Sequence, residues 1–358
     1  MVRAFLALLI AAASLSAEHV YIGTSGKGIY LADFDAKSGK LSAPALVSDT
    51  AAPSYLTIHE GHLYAVNEIN EGSVSAFTID HGSGKLTPLN TVSVKSAGPC
   101  YIAIDKSGHS AVTANYSGGS ITVLPIGGDG RLGEATAFIQ NKGSGPNRDR
   151  QTMAHPHWVG FIPASKLALV ADLGIDEVAI YNFAKGKLTV GNPAFMTIPP
   201  GSGPRHGAMH PGGKFFYVIN ELSSNLMEFF YEAELKRFTM VQTLSTLPDD
   251  FKGENTGAEI EIHPSGKFVY ASNRGHDSIA VFSVNDPKRG TLTLAQHIPS
   301  GGKTPRQFEI DPSGHWLLAG NQESDNIGIF SIDASTGKLT AAGVVTGVVR
   351  PTCIKFAK

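Results

Sequence analysis

The chain has 358 residues, 42% of them apolar, and a formal net charge of −2. That balance excludes the electrostatic footprint of a nucleic-acid binder or of a protein held on an anionic membrane surface. Its 40 Gly and 20 Pro are scattered at turns, not gathered in low-complexity runs, which favours many short strands over long helices.

Residues 1–17, MVRAFLALLIAAASLSA, carry a basic Arg3, an apolar run from Ala4 to Ala13 and small residues near the end. This is the pattern of a secretory signal, so 1–17 is expected to be a signal peptide and the protein exported, periplasmic or secreted; without that signal it would be cytoplasmic. The run is shorter than the roughly 20 apolar residues of a spanning helix. No second run of that length follows, so the mature chain is expected to be free of the membrane, with one domain over 18–358. Cys100 and Cys353 are the only cysteines. They fall in non-neighbouring repeat units and are expected to be two buried, unpaired thiols.

The rest of the chain is a repeat. Second strands align on a closing Asn or its equivalent at Thr24, Asn67, Asn115, Asp172, Asn220, Asn273 and Asn321, 43 to 57 residues apart. After a polar turn each is followed by an alternating strand such as SVSAFTI, EVAIYNF or SIAVFSV, the period of a half-buried strand. Most copies add a fourth strand after a Gly-x-Leu turn, as in GKLTPLNTV. First strands begin at Pro53, Pro99, Pro156, Pro204, Gly257 and Pro305, and the seventh stands at the very end, PTCIKFA from Pro351. The stretch 203–230 shows one copy in full, with a Pro-Gly-Gly turn between its first two strands. Seven such units imply an all-β, seven-bladed β-propeller with four antiparallel strands per blade, closed by the C-terminal strand joining the N-terminal blade. Closure removes exposed sheet edges.

In a propeller the first strand of each blade lines the central channel, and its start shares a face with the end of the antiparallel second strand. Two rings of residues should therefore converge. The first is Ser54, Cys100, His157, Arg205, Ala258, Arg306 and Thr352; the second is Ser25, Glu68, Tyr116, Leu173, Glu221, Arg274 and Gln322. Scaffold positions repeat, and these do not. Blades one to three are mostly neutral, and blades four to seven bring one His, one carboxylate and three guanidinium groups, His157, Glu221, Arg205, Arg274 and Arg306, to one mouth, which suits an anionic ligand or oxyanion chemistry, since Arg holds carboxylate or phosphate in a fork. His157 suits general acid–base work, and Glu221 could orient it, activate water or neutralise an Arg. The bland reading of the same pattern is a water-filled channel with ion pairs.

The largest insertion, residues 141–156, enters at this face and is expected to form a lid or pocket wall, with Arg148, Arg150 and Gln151 able to reach a ligand. Glu68 and Gln322 join Arg306 as candidate binding residues. His206 and Glu259, one position beyond the first ring, are expected by alternation to point away from the channel. His210, His263 and Asp311 recur at turns and are expected to be structural. His155 and His157 lack clustered carboxylates or Cys, so neither a metal nor a cofactor is expected. There is no nucleophile elbow and no phosphate-cradling Gly loop.

RQTMAHPHWVGF, GSGPRHGAMHPGGKFFYVINEL, GAEIEIHPSGKFVYASNRGHDSI and TPRQFEIDPSGHWLLAGNQESDNI together resemble the seven-bladed propeller lactonase family over almost all of 19–357. That family includes the bacterial propeller-type 6-phosphogluconolactonases and the fungal carboxy-cis,cis-muconate cyclase. In the cyclase the proposed site is a His, two Arg and a Glu; they match His157, Arg205, Arg274 and Glu221, the residues the two rings bring out. The resemblance implies a metal-independent hydrolase that opens a sugar lactone, phosphorylated or not, to its acid, with a small anionic lactone or its acid as its partner; a monomer is expected. The alternatives are an exported propeller that binds a ligand or protein without turnover, and a muconate-type cycloisomerase. Phosphogluconolactone is made in the cytosol, so an exported copy is expected to meet another lactone.

Overall fold

The structure, a computed structural model, describes residues 18–286 and 289–357. The expected signal at 1–17 lies outside the described residues. Every regular element among the described residues is a β-strand, and the strands form seven sheets. Blade five shows the plan: Pro204–Met209 innermost, then Phe215–Asn220, Asn225–Glu232 and Arg237–Ser245, each antiparallel to the last. Blade one is assembled from both ends of the chain. Pro351–Phe356 pairs antiparallel with Glu18–Thr24, setting Ile354 opposite Ile22 and Phe356 opposite Val20. Its outer edge is split into Lys40–Leu41 and Ala45–Ala51, both paired with Lys27–Asp35.

Each blade is covered on both faces by its neighbours. Second strands therefore read as unbroken buried runs, as in Leu167–Asp172 and Phe215–Asn220. Apolar clusters fill the wedges between blades, such as Phe215 and Tyr217 against Val269 and Phe282. Val20, Ile22 and Phe34 pack with Leu318 and Ile327, joining blade seven to blade one and completing the ring. Tyr hydroxyls staple one blade to an outer turn of the next: Tyr21 donates to Gly84 O at 2.6 Å and Tyr270 to Gly337 O at 2.9 Å. Gly337 has φ of 70°, and a Cβ there would lie 2.4 Å from the Phe268 ring, so the turn admits no larger residue without movement.

The turn residues behave as scaffold. His210 Nε2 reaches Gly266 O at 2.9 Å, His263 Nε2 reaches Gly314 O at 2.8 Å, and Asp311 accepts from the amides of His315 and Trp316. Cys100 and Cys353 are buried and free, in blades three and one.

The first-ring position carries a β-bulge in six blades. Pro156 pairs Asp172 and Trp158 pairs Ala171, leaving His157 as the extra residue; Cys100, Arg205, Arg306 and Thr352 are extra in the same way, and in blade six Ala258 and Glu259 share one opposite residue. A bulge bends the strand and re-aims its side chains. That corrects the expectation for His206 and Glu259, which do not point away from the channel. The His206 ring lies 5.2 Å from Tyr101 of blade three and 6.2 Å from Tyr55 of blade two, on the far side of the channel.

Candidate active site

Glu221 follows the last residue of the second strand of blade five and is only 3% exposed. Its Oε2 lies 2.7 Å from Arg274 Nη2 and 3.0 Å from Arg205 Nε, and its Oε1 pairs with Arg150 Nη2. Arg205 Nη1 donates to Ala258 O at 2.6 Å, and Arg274 Nη2 donates also to Gly257 O at 3.0 Å. Arg150 comes from the 141–156 segment and reaches Tyr116 Oη as well, at 3.3 Å. Arg205 Nε is close to Glu221 without the alignment of a hydrogen bond, and Arg274 Nε is likewise buried and unpartnered. Arg306 is half-buried, has no ion pair among the described residues, and lies near enough to lower the basicity of His157, Arg205 and Arg274.

Three guanidinium groups thus share one carboxylate, with Arg306 a fourth cation nearby. Burial alone would raise the pKa of Glu221, but Arg274, Arg205 and Arg150 outweigh it and hold the carboxyl well below the usual range. Arg205 and Arg274 bear the opposite strain. Burial, then Arg274 and Arg306, brings Arg205 down to about 9. The carboxylate is over-supplied with charge and the guanidinium groups are under-supplied, so an added anion would be stabilised here.

His157 sits at its bulge, 5% exposed, with Nδ1 buried and unpartnered. Its ring stands edge-on to Tyr116 at 5.5 Å and to His206 at 5.1 Å. Burial, then Arg205 and His206, hold its pKa well below the ordinary imidazole value, so it is neutral at pH 7. His206 Nδ1 in turn lies 2.8 Å from Glu259 Oε1.

A cleft of about 940 Å³ opens at the mouth, lined by Asn147, Arg150, Asn255, Arg274, Gln322 and Arg350, with Asp149, Glu254 and Glu323 also on its wall. Gln322 faces it and donates to Ser25 Oγ at 3.0 Å. Other candidates are not drawn in. Gln151 is fully buried and braces its own loop, donating to Leu173 O at 2.8 Å and accepting from the Asn147 amide at 3.1 Å. Arg148 is exposed and its side chain makes no hydrogen bond or ion pair among the described residues. Glu68, half-buried on blade two, makes none either, although it helps burial raise the Cys100 thiol. Asn147, Asn255 and Arg350 reach the wall from loops that no repeat alignment would single out. Among the described residues no group of three or more His, Cys, Asp or Glu could hold a metal ion.

A sequence profile described as lactonase, 7-bladed beta-propeller, matches residues 19–356. The chain belongs to this lactonase family. It is 37% identical to a Bacillus subtilis protein named 6-phosphogluconolactonase, over 94% of this chain and 97% of that one. It is 36% identical to a Formosa agariphila 6-phosphogluconolactonase, over 78% of this chain and 81% of the relative. The solved structure of a periplasmic gluconolactonase from Pseudomonas aeruginosa superposes with a TM-score of 0.90 at 30% identity, covering 96% of this chain and 99% of that one. The propeller expected from the repeat and the lactonase family expected from the resemblance are thereby shown, and the relatives' names imply a small-molecule lactone substrate.

Proposed function

We propose that this propeller hydrolyses a sugar lactone, phosphorylated or not, to the open acid, using His157, Arg205, Arg274 and Glu221. The observation that carries the reading is the excess of guanidinium over carboxylate in a buried cluster beside a neutral imidazole. Arg205 and Arg274 bind the anionic part of the ligand and the lactone carbonyl, and stabilise the oxyanion as water adds. Removing one such donor costs roughly 10²–10³ in rate. His157 accepts one proton of the attacking water and returns it to the ring oxygen as the C–O bond breaks, leaving a hydroxyl and a carboxylic acid that ionises by releasing its proton to solvent. Acid–base help of this kind contributes about 10²–10⁴. Glu221 is the poorer base, because its depressed pKa leaves it little affinity for a proton; its part is to fix three Arg side chains. Arg150 and Arg306 add to the anion site, and Gln322 adds to its wall.

We also infer export. The signal pattern of 1–17 supports it, and so does the likeness to a relative described as periplasmic. Outside the cytosol the accessible substrate is a free sugar lactone more readily than a phosphorylated one. Acid release from a lactone panel, glucono-δ-lactone and its 6-phosphate included, tests this. Enzyme-dependent acid release that survives EDTA treatment is expected, whereas saturable binding without turnover would leave only a ligand-binding platform.

A further inference from the structure

Two neighbouring imidazole rings in the channel each carry an orphaned nitrogen. His157 Nδ1 and His206 Nε2 are both buried and have no hydrogen-bond partner, while the two ring centroids stand 5.1 Å apart. That is a spacing which a single N–H···N bond of about 2.9 Å spans after slight rotation of one ring. On its other side His206 is tied down, its Nδ1 2.8 Å from Glu259 Oε1. Glu259 is itself fixed: Oε1 also accepts from the Ile260 amide at 3.0 Å, and its own amide donates to Ser272 Oγ at 2.9 Å. The scaffold histidines of this chain are different. His210 and His263 each use both ring nitrogens, in bonds to backbone and a turn hydroxyl. On bulged strands of three successive blades, His157 stands beside His206 and His206 beside Glu259.

We propose that Glu259, His206 and His157 form a relay in which Glu259 and His206 are positioning residues for His157. Glu259 is ionised and takes the Nδ1 proton of neutral His206. His206 Nε2 then offers a lone pair to His157 Nδ1–H, and this leaves the lone pair of His157 Nε2 facing the reacting water. When Nε2 takes the water proton, the Nδ1 proton moves to His206, and it returns when the leaving oxygen is protonated. Charge explains why a second histidine is useful. Arg205 and Arg306 oppose an imidazolium at either ring, but at His206 Glu259 offsets part of that, whereas no carboxylate supports one at His157. Around the pair stand the Tyr55, Tyr101 and Tyr116 rings, while Lys355 of the C-terminal strand acts on Glu259 and Glu259 in turn acts on Glu261 of its own strand. Apo catalytic hydrogen bonds are commonly long and tighten in the complex, which accommodates the unmade bond here.

The inference rests on His157 as the base of the proposed hydrolysis, and its test has an arm that does not need turnover. Nitrogen-15 NMR of the ring nitrogens in the folded wild type should show Nδ1–H tautomers at both His157 and His206, with Glu259→Gln changing the state of His206 and lowering the His157 pKa further. An Nε2–H tautomer at His157, or a His157 titration indifferent to Glu259→Gln, overturns the relay whatever the substrate. In the kinetic arm Glu259→Gln and His206→Gln should lower kcat by roughly 10²-fold, within the roughly 10²–10⁴ of acid–base help, with KM within about twofold and the acid limb of kcat shifted. Full kcat in both folded variants, with His157→Ala inactive, rejects the relay and keeps the hydrolase. The expected tautomers in a protein that opens no lactone keep the relay and reject the hydrolase.

Discussion

Arg274 Nη2 lies 2.7 Å from Glu221 Oε2 and uses the same nitrogen to hold Gly257 O of its own blade at 3.0 Å. One carboxylate therefore fixes guanidinium groups from blades five and six and from the inserted loop. Glu221→Gln leaves those cations buried and uncompensated, and should cost about 3–5 kcal/mol at pH 7. Because the folded pKa of Glu221 is depressed, its contribution is fully present above the unfolded value of about 4.3 and is lost as pH falls through the folded one. Urea melts of wild type and variant between pH 7 and pH 3 should show a gap that narrows below about pH 4.3.

Arg306 should behave in the opposite way. It has no ion pair among the described residues and repels Arg205 and Arg274, so Arg306→Gln should leave the free protein as stable as wild type or slightly more so. Phosphate or gluconate should raise the wild-type Tm, by about 2.7 kcal/mol of stabilisation at 100 times Kd, and raise it less in the variant. Thermal melts with and without the anion measure both effects.

The pH profile of catalysis follows from the depressed imidazole. His157 stays neutral to well below pH 6.5, so kcat/KM should be level through neutrality and fall only in acid. Rates corrected for spontaneous hydrolysis, from pH 4 to pH 8, test this.

Deleting residues 351–358 removes the strand that pairs with Glu18–Thr24 and strips Ile354 and Phe356 from the cluster joining blades seven and one. The open ring should lose cooperative unfolding and associate through the freed edge. Calorimetry and sedimentation of the truncated chain should show this.

Much of the ring was legible because its signals are local and repeated. The closing Asn residues and the alternating third strands recur often enough to fix seven units, and PTCIKFA could only complete the first of them. His157, Arg205, Glu221 and Arg274 stood out because they break that repetition at matching positions. What escaped was backbone detail. Strand alternation sends His206 and Glu259 outward, and only the bulges turn them in; an extra residue in a pairing register leaves no mark in sequence. The loop was harder still. Arg148, Arg150 and Gln151 look alike as candidates, yet Arg150 meets Glu221, Gln151 braces the loop and Arg148 stays outside, a division set by loop conformation alone.

The most direct measurement is acid release from glucono-δ-lactone by wild type, His157→Ala and Arg205→Ala, each shown to be folded. Turnover well above background in wild type, falling at least 10²-fold in both variants, is the expected result. Equal rates in all three folded proteins would contradict a lactone site built on the Arg cluster and His157.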